Sequence, residues 1–272
     1  LQNLKADTTL VIAESTAIDA LADSISASPS RFANITEQSG IDYTHRESEF
    51  VDFHINTLLP FQLSKTGPCL AKGDVNHDGY EDLFIGATAR QESRLYLQHS
   101  DGRFSRSASA PWNIDTIRTI TDALFFDADK DGDLDLYLVS GGAEFVPGSK
   151  NYQDRIFEND GKGNFKEAEN ALPAEAVSGA CARAADLDHD GLQDLFIGGM
   201  YSPTKFPVAP ESVILKNKSR PGSIRFEKED TTRYSSLSRV GMVTDARWVD
   251  IDKDGWEDLM VVGQFMPIHL FM

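Results

Sequence analysis

The stretch Asp127-Ala128-Asp129-Lys130-Asp131-Gly132-Asp133-Leu134-Asp135 places acids at positions 1, 3, 5 and 9 of a nine-residue pattern, with glycine at position 6. The pattern recurs as Asp74-Val75-Asn76-His77-Asp78-Gly79-Tyr80-Glu81-Asp82, as Asp186-Leu187-Asp188-His189-Asp190-Gly191-Leu192-Gln193-Asp194 and as Asp250-Ile251-Asp252-Lys253-Asp254-Gly255-Trp256-Glu257-Asp258. The starts lie 53, 59 and 64 residues apart, a spacing that belongs to a repeated supersecondary unit.

What flanks each copy repeats as well. A short apolar segment precedes the loop (Ala123 to Phe126, Ala246 to Val249) and a β-type run follows it (Leu83 to Gly86, Leu134 to Val139, Leu195 to Gly198, Leu259 to Val262). In the first three copies a third run comes next (Arg94 to Leu97, Arg155 to Phe157, Val213 to Leu215), and then a fourth begun by Phe104, Phe165 or Phe226. The unit is a four-stranded antiparallel sheet, the strand count of a β-propeller blade. Such a sheet buries both faces only by stacking on its neighbours, so the expected fold is all-β, with about four blades side by side around an axis. The last copy leaves sequence for only two strands after its loop, ending at Pro267 to Met272. Either Arg31 to Thr36 completes that blade and closes a four-bladed ring, or the chain holds part of a larger ring.

The loop spacing dictates a chemistry. Oxygens from positions 1, 3 and 5 converge if the chain curls tightly, and glycine at position 6 permits the curl. Position 7 adds a backbone carbonyl and position 9 a further carboxylate. The candidate metal ligands are therefore Asp74, Asn76, Asp78, Tyr80 and Asp82; Asp127, Asp129, Asp131, Asp133 and Asp135; Asp186, Asp188, Asp190, Leu192 and Asp194; and Asp250, Asp252, Asp254, Trp256 and Asp258. An all-oxygen, flexible shell suits Ca²⁺, up to four ions, and the lack of Cys or His at ligand positions disfavours zinc. An EF-hand requires an acid at position 12 and a helix after it; here Ile85, Leu138, Ile197 and Val261 stand there, within β-type runs.

These motifs, with Phe84-Ile85-Gly86-Ala87 and Phe196-Ile197-Gly198-Gly199 after two of them, resemble the FG-GAP/VCBS repeats of integrin-α-type β-propellers. The resemblance covers residues 31–272 and implies a seven-bladed ring with Ca²⁺ in the loop between the first two strands of several blades. The segment His45 to Phe53, with Leu58-Leu59-Pro60 and Leu63 to Pro68, is similar to the propeller lead-in of bacterial cartilage-acidic-protein-type proteins, which join such repeats to an UnbV/ASPIC domain. Residues 1–12 resemble the tail of that domain, and the Ser- and Ala-rich residues 13–30 read as a linker. The resemblance implies an exported or surface-attached, extracytoplasmic protein, and the chain reads as a recognition or structural module for protein or glycan. The alternative class is a propeller lyase or hydrolase acting on carbohydrate. No G-x-S-x-G, H-E-x-x-H, G-x-x-x-x-G-K or G-x-G-x-x-G motif accompanies it, and no catalytic residue is assigned.

Composition narrows the partners. Against 43 Asp and Glu stand 26 Lys and Arg, a formal charge of −17, which repels nucleic-acid phosphates and anionic bilayers. No run approaches ~18 apolar residues, so no insertion into a membrane is expected within this chain. The start, Leu1 to Asp7, lacks the features of a signal peptide and reads as cut from something longer. Fifteen of the 43 acids are proposed side-chain ligands, and four Ca²⁺ would bring the charge to −9.

Other clusters read two ways. His45, Glu47, Glu49, Asp52 and His54 are either a second metal site or a solvated loop. Cys69 and Cys181 occupy equivalent places five residues before their loops, in non-adjacent blades, and read as buried thiols rather than a disulfide. Asp122, Asp245, Arg183 and Arg247 fall on innermost strands near the channel mouth, as a ligand site or as salt bridges between blades. The rings of Tyr80 and Trp256 are free to stack on a sugar or to pack between blades.

Overall fold

Alternation along the strands after the acidic loops decides the packing. In β-structure successive side chains point to opposite faces, and the runs Leu136-Tyr137-Leu138-Val139 and Leu195-Phe196-Ile197 are apolar at every position. Both faces of such strands must be covered. The structure, a computed structural model describing residues 32–114 and 116–272, covers them with neighbouring sheets.

The first sheet comprises β1 (Cys69–Gly73), β2 (Asp82–Gly86), β3 (Arg94–Gln98) and β4 (Phe104–Arg106); the second, β5 (Thr119–Phe126), β6 (Asp135–Gly141), β7 (Arg155–Asn159) and β8 (Phe165–Glu167). The third holds β9 (Ser178–Ala185), β10 (Asp194–Tyr201), β11 (Val213–Asn217) and β12 (Phe226–Lys228), and the fourth β13 (Met242–Val249), β14 (Asp258–Gln264) and β15 (His269–Phe271). Each is a simple antiparallel meander, as expected for blades of a β-propeller. The outer strands β4, β8 and β12 begin at Phe104, Phe165 and Phe226, and each acidic loop joins the first two strands of its blade.

Three apolar cores lie between consecutive blades. Leu136 and Leu138 of β6 pack with Phe84 and Leu95 of the first blade, around Trp112, whose ring meets Phe84 edge-on at 5.2 Å. Tyr137 and Val139, on the other face of β6, pack with Leu195 and Ile197 of the third blade. Phe196 turns the opposite way and joins Val243, Leu259 and Val261 of the fourth. Among the described residues none of these clusters joins the fourth blade to the first. Phe32 to Ile35 are not strand, Arg31 lies outside the described residues, and the fourth sheet has three strands among the described residues. The expectations for residues 1–12 and 13–30 also lie outside the described residues.

The lead-in ahead of β1 closes the end of the sheets away from the acidic loops. Leu59 and Leu63 pack with Ala143, Ala180, Met200, Tyr201 and Met242. Asp52 is 2% exposed and accepts the Leu63 and Ser64 N–H groups at 3.0 and 2.9 Å, together with the Ser64 hydroxyl. That carboxylate is therefore a turn staple. His45 pairs with Glu47 at 3.2 Å, and the five-residue His/Glu/Asp cluster does not converge on one point among the described residues. No helix of the described residues is long and apolar enough to cross a membrane.

The position 9 acids lock each loop to its sheet. Asp82, Asp135 and Asp194 are 0%, 1% and 2% exposed. One oxygen of each accepts the position 2 N–H (Val75 3.1 Å, Ala128 3.0 Å, Leu187 3.4 Å). The other accepts the N–H of the last residue of the third strand (Gln98 2.8 Å, Asn159 2.9 Å, Asn217 2.8 Å). The Asn159 amide then donates backward to Val75 of the preceding blade at 2.8 Å, and the Asn217 amide likewise to Ala128 at 2.8 Å. Asn217→Ala strands that buried carbonyl and the Gln193 carbonyl, to which Asn217 also donates at 2.9 Å. The expected loss is about 1–3 kcal/mol in urea denaturation, without change in the m-value.

At the other end of the middle strands, Asp154 accepts the Ser140 N–H and the Tyr137 hydroxyl, each at 2.8 Å. The first and third blades use the neutral Ser93 and Ser212 hydroxyls for this contact. Burial pushes the Asp154 carboxyl up to about 7. Its proton is thus retained by the fold to higher pH than by the unfolded chain, and its contribution to stability, full below pH ~4, falls away as pH rises to about 7. Asp154→Asn should flatten that part of the stability–pH curve, narrowing the drop by about 2–4 kcal/mol; parallel curves for the two proteins would refute the assignment.

Candidate metal centre

The loops curl as their spacing requires. Position 1 accepts two N–H groups: in the second loop Asp127 takes those of Asp131 and Gly132 at 3.2 and 3.1 Å, and Asp74 and Asp186 repeat this at 2.8–3.1 Å. Position 5 in turn accepts the position 7 N–H, as Asp78, Asp131, Asp190 and Asp254 do from Tyr80, Asp133, Leu192 and Trp256. The glycine at position 6 has positive φ in every loop, 100° at Gly132, where a side chain would be strained.

Position 4 is also left-handed, with φ between 57° and 64° at His77, Lys130, His189 and Lys253. The nine-residue pattern did not single this position out. Its side chain reaches forward to the next loop: His77 Nε2 lies 2.7 Å from Asp133 Oδ1, and the His189 ring stacks on Trp256 with centroids 4.0 Å apart. The hydrogen bond to Asp133 raises the His77 pKa. Trp256 is half exposed, and its ring contact among the described residues is this packing between loops.

Three loops bring carboxylate oxygens within 4.8 Å of one another: Asp127, Asp129 and Asp135; Asp186, Asp188 and Asp190; and Asp250, Asp252 and Asp254. The first loop has Asn76 at position 3, whose amide donates to Asp78 at 3.1 Å. In the second loop position 9 joins the cluster, whereas in the third and fourth position 5 does. The position 9 acids, read from spacing as ligands alone, already give both oxygens to backbone N–H groups in the first three loops.

The second loop differs from the others in burial. Asp129 is 0% exposed; its Oδ2 accepts the Gly222 N–H at 2.5 Å from the outer hairpin of the next blade. Its buried Oδ1 has no hydrogen-bond partner, and in the fourth loop the same holds for Asp250 Oδ1. Burial raises the Asp129 carboxyl and pushes Asp135 up to about 7. No lysine or arginine among the described residues pairs with Asp127, Asp129, Asp131 or Asp135. A concentrated, partly desolvated negative site of this kind fits a hard cation, for which Asp127, Asp129, Asp131 and Asp135 would supply the side-chain oxygens and Asp133 its carbonyl.

The inner strands carry a charge network instead of an open site. Arg183 of β9 pairs with Asp122 of β5 at 2.6 Å and with Asp245 of β13, and its Nε donates to Ala246 O at 2.8 Å. Salt bridges thus span three blades, while Arg247 has no ion pair among the described residues. Cys69 and Cys181 are free, and burial pushes both thiols up to about 12.

Residues 74–138 and 141–197 each match the family model described as FG-GAP-like repeat. No curated protein matches the chain. The two matches span the first three acidic loops with the strands between them, and this part of the chain is similar to FG-GAP-like repeats; such repeats suggest a β-propeller recognition module.

Proposed function

We propose that the chain is a Ca²⁺-stabilised, extracytoplasmic β-propeller module that recognises a protein or glycan, with its ions serving as structural clips. The observation that carries the metal reading is Asp129: a fully buried carboxylate with one oxygen unpartnered, converging with Asp127 and Asp135. An uncompensated buried charge costs several kcal/mol, and a bound dication offsets that cost while neutralising the loop. Oxygen-only donors in a flexible loop favour Ca²⁺ over Mg²⁺ or zinc.

The cellular reading follows from ion supply. Loops of modest affinity fill where free Ca²⁺ is near millimolar, outside the cytoplasm. The similarity of the lead-in to cartilage-acidic-protein-type proteins extends the proposal to a piece of a larger ring beside an UnbV/ASPIC domain. Recognition by protein or glycan rests on the FG-GAP character of the repeats.

Raising Ca²⁺ to about 100 times the dissociation constant should stabilise the protein by about 2.7 kcal/mol per site, visible as a rise of several degrees in Tm that a chelator reverses. In Asp129→Ala one equivalent of Ca²⁺ is lost by isothermal titration and the rise shrinks. A melt unchanged by millimolar Ca²⁺ in the unsubstituted protein would overturn the reading.

A further inference from the structure

The third loop already holds a cation of its own. Lys216 of β11 is 13% exposed at its side chain, and its Nζ lies 2.8 Å from Asp188 Oδ2 and 2.5 Å from Asp194 Oδ2. Those acids are positions 3 and 9 of the loop. The ammonium therefore bridges two of the carboxylates that a metal would draw together, and it holds Asp188 below its ordinary carboxylate range.

The strand register shows that this lysine is peculiar to one blade. Lys216 precedes Asn217, which pairs with Phe226; the corresponding residues are Glu158, before Asn159 paired with Phe165, and Leu97, before Gln98 paired with Phe104. An ammonium is thus available at this position in the third blade alone among these three. The second loop, where glutamate takes the place, has at position 3 the buried Asp129 with an unpartnered oxygen; in the third loop the position 3 acid, Asp188, is paired with the ammonium.

Resting on the reading of the loops as Ca²⁺ sites, we infer that Lys216 is the resident cation of the third loop and excludes metal from it. The repeats then divide into loops clipped by an exchangeable dication and one clipped by a covalently tethered monocation. A dication entering the third loop would have to expel the ammonium from two hydrogen bonds and then share a half-enclosed space with it. Like charges at such separation oppose each other strongly. The third blade would accordingly keep its loop geometry when Ca²⁺ is withdrawn.

The test is metal counting by isothermal titration and elemental analysis on four proteins: unsubstituted, Asp190→Asn, Lys216→Leu, and Lys216→Leu with Asp190→Asn. Asp190 belongs to the third-loop cluster but is not among the ion-pair partners of Lys216, and leucine is the residue of the first blade at this place. The expected result is the same Ca²⁺ count for the unsubstituted protein and Asp190→Asn, one additional equivalent in Lys216→Leu, and loss or at least tenfold weakening of that equivalent in the double variant. Lys216→Leu should also melt lower than the unsubstituted protein in chelator and gain more from Ca²⁺. Loss of one equivalent in Asp190→Asn alone would overturn the inference while leaving the Ca²⁺ reading intact, and this measurement needs no lysine substitution to fold. Lys216→Leu that folds without taking up the extra equivalent would overturn it too. Absence of Ca²⁺ from all four proteins would overturn the inference together with the reading beneath it.

Discussion

A buried carboxylate at the start of each middle strand is the contact on which the remaining architecture depends. Asp82, Asp135 and Asp194 each sit where a loop, a middle strand and the end of a third strand meet. With one oxygen on the loop and the other on the third strand, each fixes the curl of the acidic segment relative to the sheet. Burying charge is costly unless it is hydrogen-bonded on every side that water would have served. Backbone N–H groups meet that requirement here. Once the loop is fixed, its position 2 carbonyl becomes a defined target for the asparagine of the next blade, and the stacking of sheets acquires a register.

The sequence reveals the blades because their signals are local and periodic. Four spaced acidic patterns, the apolar runs after them and the phenylalanines that open β4, β8 and β12 each depend on residues near one another in the chain. Salt bridges on the inner strands are one of the two readings of Asp122, Asp245, Arg183 and Arg247 that the sequence leaves open, and the structure forms them at the first three. What could not be read depends on contacts between segments far apart. Spacing makes position 9 look like a ligand; that it also bonds the end of the third strand requires the fold. Asp52 looks like part of a metal cluster until Ser64 is seen to wrap around it. Lys216 lies 22 residues from Asp194, and nothing in a nine-residue pattern points to it. The left-handed residue at position 4 had a weak signal, the recurrence of His or Lys there.

The loops are alike in sequence and unlike in electrostatics. Coverage by the Gly222 hairpin removes Asp129 from water, whereas Asp186, Asp188 and Asp190 are partly or well exposed and have an ammonium beside them. Burial and the nearest counter-charge, more than the consensus of the motif, set the electrostatics of each copy. An acidic repeat therefore needs its third strand and the neighbouring hairpin described before its affinity can be ranked.

The side chain at position 4 points toward the following blade, while the asparagine at the end of the third strand points toward the preceding one. The junction between the first and second blades is thus made from two links of opposite direction, His77 to Asp133 and Asn159 to Val75. Both links come from residues inside the repeated unit, so part of the contact between neighbouring blades is encoded within the repeat itself.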